Sequence, residues 1–330
     1  MADTILTTSV AEAVAILASG GLVALPTETV YGLGARADDS RALARIFEAK
    51  GRPADNPLIA HVASIEQVGD VVLSIAPYAR DLMERFWPGP LTLVLPVRED
   101  MPSQLTAGLQ TVGVRMPDHA LTRAVIKALG VPVAAPSANR SGRPSPTTWE
   151  AVREDLEGRI DAILQAGPTT VGLESTVVDC TGDVPVILRP GAITLADLQS
   201  VHPEARQRRP DEAAHRSPGL RHRHYRPDAE VRWVGPFDTD TSGTGEAAPD
   251  PTEAKHAASA SYIGLHDPPD PLRYVRIEIA PSLAAYARSL FHFFRLSEAD
   301  GVRSIHCERV PCEGLGQALT DRIDRASGSE

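Results

Sequence analysis

Cysteine is scarce in this chain: Cys180, Cys307 and Cys312 are the whole set in 330 residues. An odd number, so widely spread, makes neither a disulfide framework nor a four-ligand zinc site, and suits a reducing, cytoplasmic setting. Long apolar runs are missing too, and none approaches the roughly 20 residues that span a bilayer. Ala13–Ala18 is apolar, but Asp3 and Glu12 stand where a signal peptide carries its basic segment. Val10, Val14 and Leu17 fall at helical spacing instead and predict an amphipathic first helix. Aromatic residues are only 5% of the chain, so base-stacking platforms for single-stranded nucleic acid are few. A net charge of -10 removes the cation surplus that bulk nucleic-acid binding needs, although a local basic groove is compatible with that total. Lysine is nearly absent: Lys50, Lys127 and Lys255 stand against a large excess of arginine.

What is present reads as a folded α/β protein. At 42% hydrophobic and 23% charged residues the chain is globular in composition, and its length predicts two domains. Short apolar runs of β type recur at Leu22–Leu25, Leu58–Val62, Leu91–Leu95, Val112–Met116, Val131–Ala135, Ala162–Gln165, Ser175–Asp179 and Val186–Leu188. Helical patterns lie between several of them, at Ser40–Lys50, Pro77–Phe86, Ala120–Leu129 and Thr148–Asp155. Some connections are too short for helical crossovers, so the sheet is predicted to be of mixed direction.

This first domain is assigned residues 1–200. Residues 201–228 lack periodicity and read as a linker, whose tail Ser217-Pro-Gly-Leu-Arg-His-Arg-His-Tyr225 is rich in donors for a spacer. Residues 229–330 then form a smaller α/β domain, with strands near Val231–Val234, Tyr262–Leu265, Tyr274–Ile279 and Ser304–Cys307. Its helices are predicted at Ser282–Leu296 and Leu315–Ala326. Asp238–Ser259 reads as a surface loop.

Six segments place polar groups at strand ends, where ligands sit in open α/β sheets. Pro26-Thr-Glu-Thr-Val-Tyr-Gly-Leu-Gly34 offers hydroxyls and glycines where a backbone meets a ligand, or an ordinary turn. In Lys50-Gly-Arg-Pro-Ala-Asp-Asn-Pro-Leu-Ile-Ala-His61 a point charge and a guanidinium fork lead into a strand, a pairing suited to phosphates. Lys50 also sits where a cation satisfies a helix C-terminus. Arg115, within Thr111-Val-Gly-Val-Arg-Met-Pro117, falls in an apolar strand and needs an anion there, either a protein or a substrate carboxylate. Ala134-Ala-Pro-Ser-Ala-Asn-Arg-Ser-Gly-Arg-Pro-Ser-Pro146 has the composition of a phosphate-binding loop without Walker spacing. Gly172-Leu-Glu-Ser-Thr-Val-Val-Asp179 and Leu188-Arg-Pro-Gly191 put Ser175 and Arg189 at strand edges.

Read together and in this order, from about Ser9 to Ile193, these segments resemble the threonylcarbamoyl-AMP synthase family with its YrdC-like catalytic domain. Phe86-Trp-Pro-Gly-Pro-Leu-Thr92 belongs to the same set. Ser217–Pro227 is similar to the linker of the two-domain branch, in which the linker folds over the nucleotide site and a Rossmann-like domain follows. The C-terminal match is looser: Leu290-Phe291 with Arg295, and Gly314-Leu-Gly316. Asp321-Arg-Ile stands where the family commonly has Asn-Arg-Leu.

The resemblance implies that L-threonine, bicarbonate and ATP are joined into threonylcarbamoyl-AMP with release of pyrophosphate, and that Mg²⁺ enters mainly on the ATP phosphates. It places Lys50, Arg52, Asn56, Thr111, Ser137, Ser145, Arg189 and Tyr225 at ATP, with Lys50 and Arg52 acting on the transferred phosphate. Thr29, His61, Arg115, Ala135 and Ser175 fall at threonine. The product would pass to a complex that modifies an adenosine in tRNA. Ser217–Pro227 is then a candidate lid, with His222 and His224 as solvated linker residues, and no metal ligands are assigned. Two rival readings stand beside it. One is an RNA-binding module with a basic groove and a weak tRNA contact; the other is adenylation of a carbamoyl group from carbamoyl phosphate.

Overall fold

The computed structural model describes residues 3–209, 225–235 and 259–328. In the first domain the order is β1 (Ile5–Thr7), α1 (Val10–Ala18), β2 (Val23–Leu25), β3 (Gly32–Arg36), α2 (Ser40–Lys50), β4 (Ile59–His61), α3 (Pro77–Phe86) and β5 (Leu91–Pro96). There follow α4 (Ser103–Thr106), β6 (Thr111–Arg115), α5 (Ala120–Leu129), β7 (Val133–Ala134), α6 (Trp149–Leu156), β8 (Ala162–Leu164), β9 (Thr176–Asp179), β10 (Val186–Arg189), α7 (Leu195–Val201) and β11 (Arg206–Gln207).

Local chemistry fixes the helix ends. The Asp39 carboxylate accepts the first free amides of α2, and Gly51 closes that helix in the left-handed conformation. Ser9 and Thr148 cap α1 and α6 in the same way, and Thr194 forms a capping box with Asp197 at α7.

The eleven strands form one mixed sheet in the order β1-β8-β2-β3-β7-β4-β6-β5-β9-β10-β11. All eight predicted apolar runs are strands in it. Three strands were not predicted: β1, β3 and β11. β3 hides in a glycine-rich segment that reads as a turn. A side chain at Gly34 would meet Leu25 Cδ1 at 2.9 Å and Val23 O at 3.0 Å, so strand packing itself demands glycine there. β11 pairs with β10 in parallel, so the first domain runs past residue 200 into the stretch assigned to the linker.

The C-terminal domain comprises β12 (Glu230–Val234), β13 (Ala260–Gly264), β14 (Tyr274–Ile279), α8 (Leu283–Ala299), β15 (Ser304–Glu308) and α9 (Leu315–Ser327). Its four strands are all parallel, in the order β12-β15-β13-β14. Val231, Ile263, Ile305 and Cys307 pack with Tyr286, Leu290 and Phe294 of α8 and Leu319 and Ile323 of α9.

That core continues into the first domain through Val30 and Leu173. At Gly172, φ is +81° and a Cβ would lie 2.4 Å from the Arg288 Cα, so the loop before β9 sits directly on the α8 backbone. Nearby, the fully buried Asp155 carboxylate is held by Arg143 Nη1 at 2.6 Å and by Arg295 Nη2 at 2.8 Å, an ion triad spanning both domains. Residues 210–224 and 236–258 lie outside the described residues, and with them residues 217–224 of the candidate lid Ser217–Pro227 and all but the last residue of the predicted loop Asp238–Ser259. No described helix is long and apolar enough to cross a membrane.

Candidate active site

Strand register assembles the site. β4 and β6 are parallel, with His61 opposite Arg115 at their C-terminal ends. β7 lies antiparallel on the other side of β4, and the Ala135 amide donates to Ile59 O at 2.9 Å, setting Ala135–Ser137 beside the start of β4. β9 and β10 add Ser175 and Arg189 from their adjoining ends. Between them lies a narrow cavity with about 70 Å³ of room for the centre of a water molecule. It is lined by Thr29, Arg52, His61, Arg115, Ala135, Ser137, Ser175, Arg189 and Tyr225 of the predicted residues.

At one end Arg115 is buried and donates from Nη1 to Thr29 Oγ1 at 2.8 Å and from Nε to Gly89 O at 3.2 Å. Its Nη2 lies 2.6 Å from Glu28 Oε1. This is charge against charge without alignment, because neither Glu28 oxygen nor Nη2 makes a well-directed hydrogen bond. The balancing carboxylate that the sequence left open is therefore Glu28, and Arg115 keeps a donor for a second one. Beside it, burial and then the Arg115 charge push the His61 ring down to about 3, so the imidazole is neutral. Its Nδ1 lies 3.2 Å from Ile59 O. In a neutral ring that contact makes Nδ1 the donor and leaves Nε2 as an acceptor.

At the other end Arg52 is held by carbonyls: Nε to Asn56 O at 3.1 Å and Nη2 to Pro57 O at 2.9 Å. Burial draws its guanidinium down to about 10, a sign that this position favours an added anion. Arg189 donates to Ser175 O at 3.0 Å and to Ser175 Oγ at 3.3 Å, and Ser175 Oγ also shares a 2.8 Å hydrogen bond with Thr92 Oγ1. Tyr225 reaches the cavity from the end of the linker with φ at +67°, a conformation costly for a residue with a side chain. It is held by stacking on Phe291 of α8, with ring centroids 5.2 Å apart.

Four predicted residues do not line the cavity. Lys50 stands behind the wall, its ammonium donating to the carbonyls of Ser137 (2.6 Å) and Asn139. Burial, then the Arg52 charge, lowers its pKa well below the usual lysine range. Asn56 is fully buried and shapes the Arg52 loop through its carbonyl. The Ser145 hydroxyl goes to Glu174 Oε1 at 2.5 Å. Thr111 begins β6, at the opposite end of that strand from Arg115.

Sequence reasoning missed Glu28, Gly89, Thr92 and Glu174, which orient the predicted residues. All four lie inside the quoted motifs, but nothing in their residue types separates a support from a turn. Among the described residues no group of three His, Cys, Asp or Glu side chains is placed to hold a metal.

Two family models cover the chain: "Telomere recombination" matches residues 15–191, and "Threonylcarbamoyl-AMP synthase, C-terminal domain" matches residues 193–328. A threonylcarbamoyl-AMP synthase of Pyrococcus abyssi is 44% identical over 96% of this chain and 93% of its own length. One from Bacillus subtilis is 40% identical, over 97% and 93%. The crystal structure of P. abyssi Sua5 complexed with L-threonine superposes with a TM-score of 0.85 at 40% identity, covering 98% of this chain and 97% of that one. The E. coli YciO structure matches 57% of this chain at 26% identity and a TM-score of 0.50. This chain belongs to the threonylcarbamoyl-AMP synthase family.

Proposed function

We propose that this member of the family joins L-threonine, bicarbonate and ATP into threonylcarbamoyl-AMP, releasing pyrophosphate. The observation that carries the reading is a single cavity holding three guanidiniums, the buried Arg115 and Arg189 and the half-buried Arg52, with a neutral histidine and hydroxyls between them. All three substrates carry negative charge, and such a cavity suits their convergence. The P. abyssi relative crystallised with L-threonine supports the amino-acid assignment.

In this reading the threonine carboxylate approaches the Arg115 guanidinium, whose Nη2 pairs with Glu28 by charge but makes no directed hydrogen bond there, and lysine does not reproduce that planar fork. Thr29, Ala135 and Ser175 surround it, and His61 Nε2 accepts from the substrate amine or hydroxyl. The amine and bicarbonate give a carbamate with loss of water. A carbamate oxygen then attacks the α-phosphorus of ATP, and pyrophosphate leaves with the electron pair of the broken P–O bond. Charge accumulates on phosphate oxygens, so the protein's contribution is positioning and electrostatic stabilisation. Arg52 and Arg189 face those oxygens from the wall, with Ser137 and Tyr225 beside them. Lys50 contributes by fixing the Ser137–Asn139 backbone, Asn56 by holding Arg52 and Ser145 by holding Glu174, while Thr111 stands away from the cavity.

The two carboxylates at the cavity, Glu28 and Glu174, are already engaged with Arg115 and Arg322. Mg²⁺ arriving with ATP would then be held mainly through phosphate oxygens, and would supply charge neutralisation there. The product passes to a tRNA-modifying transferase, in a cytoplasm that suits the free Cys180, Cys307 and Cys312. The test is incorporation of labelled bicarbonate. Label in an adenylate product that forms only with threonine and ATP is the expected outcome. An adenylate that takes its carbon from carbamoyl phosphate instead would overturn the reading.

A further inference from the structure

The cavity contains a charge that its chemistry does not call for. Glu174, buried in the loop before β9, lines a pocket otherwise suited to anions and lies beside Arg189 and Tyr225. An uncompensated carboxylate there would repel phosphate and compete for Arg189. Its partner comes from the other domain. Arg322 of α9 is fully buried, and its Nε donates to Glu174 Oε2 at 2.7 Å. Nη2 of the same guanidinium reaches the Pro190 carbonyl at 3.1 Å, next to Arg189. Its plane also lies over the Tyr225 ring, 5.5 Å from the centroid. One side chain of the C-terminal domain thus holds three parts of the nucleotide end: the Glu174 loop, the turn after Arg189, and the linker tyrosine. The other Glu174 oxygen accepts from Ser145, which completes its surroundings.

Arg322 has further neighbours. It pairs with Asp321 through Nη1, and Asp321 is in turn held by Arg325 at 3.1 Å. Asp321 is thus shared by Arg322 and Arg325, and Arg322 bridges two carboxylates, Asp321 on its own helix and Glu174 in the first domain. By contrast, the hydrogen bonds recorded for Arg115 (Thr29, Gly89) and His61 (Ile59) are all made within the first domain.

We propose that Arg322 is a positioning residue for the nucleotide end of the active site, neutralising Glu174 and seating Tyr225, so that the C-terminal domain is a structural part of the ATP site. This rests on the nucleotide assignment made above.

The test is equilibrium binding of ATP and, separately, of L-threonine to the full chain, with thermal melting followed in parallel. Arg322→Met strands the Glu174 carboxylate, and ATP binding should weaken about tenfold or more while threonine binding holds within about twofold. The double variant Arg322→Met with Glu174→Gln removes both charges and should regain most of the lost ATP affinity, although the contact with Tyr225 stays absent. That rescue separates charge compensation from packing, which the double variant does not restore. Should Arg322→Met fail to fold, Arg322→Lys keeps the charge and loses the fork, and ATP affinity within about threefold of wild type is expected, whereas a loss of about tenfold or more would overturn charge compensation. Equal weakening of both ligands, or an ATP loss that the double variant leaves untouched, would overturn the proposal. A wild-type chain that binds no ATP would instead defeat the nucleotide assignment itself.

Discussion

The two ends of the cavity are built by different means. The end with Thr29, His61 and Arg115 is set by the register of β4 and β6, and its hydrogen bonds stay within the first domain. The end with Arg52, Arg189 and Tyr225 joins the last residue of β10 to a loop and the end of the linker, and two of its wall residues, Glu174 and Tyr225, are gripped by Arg322 and Phe291 of the C-terminal domain. A sheet fixes side chains through its ladder, whereas loops need outside packing to hold a geometry. The second domain is therefore expected to matter unequally to the two substrates.

The largest effect should come from breaking the sheet-built end. Arg115→Lys removes the fork that binds Thr29, Gly89 and the incoming carboxylate. We expect kcat/KM for threonine to fall about a hundredfold while KM for ATP stays within about twofold. Steady-state pyrophosphate release with each substrate varied checks this, and a matching rise in KM for ATP would erase the distinction between the ends.

Next is the interface triad. Asp155→Asn leaves Arg143 and Arg295 without their shared buried carboxylate, and should cost about 3–5 kcal/mol in urea unfolding. Below full unfolding it should weaken ATP binding more than threonine binding, because the domain that holds the nucleotide end is loosened.

His61 gives a subtler handle. Its folded pKa of about 3 lies below the ordinary 6.5, so the unfolded chain binds the proton more readily. The stability tied to its neutral form is complete above pH 6.5 and is lost as pH falls toward 3. His61→Gln should flatten the decline in unfolding free energy between pH 6.5 and pH 4. An unchanged slope would mean that the ring is not held neutral by burial. The smallest effect is expected at the exposed Arg36–Asp38 pair, 2.8 Å apart on the surface, where Arg36→Ala should shift stability by less than about 1 kcal/mol and neither substrate's KM.

The same contrast marks how far the sequence could be read. Strands of the first domain announce themselves as apolar runs, and α2 as a stretch between its Asp39 cap and Gly51. Polar residues at strand ends mark the cavity because the register of short strands brings those ends around it. β3 was hidden because Gly32 and Gly34 serve close packing and resemble a turn. Arg322 reaching Glu174 across 148 positions has no local signature, and an acid inside an anion pocket runs against the pattern that points to the site. The Glu28 partnership with Arg115 was equally silent, since a buried arginine calls for a carboxylate without saying which.

Pyrophosphate release by the purified chain with ATP and Mg²⁺, omitting threonine or bicarbonate in turn, tests the central claim most directly. Release that requires both co-substrates is the predicted result. Release indifferent to either would contradict threonine-carbamate adenylation and leave a nucleotide-hydrolysing protein.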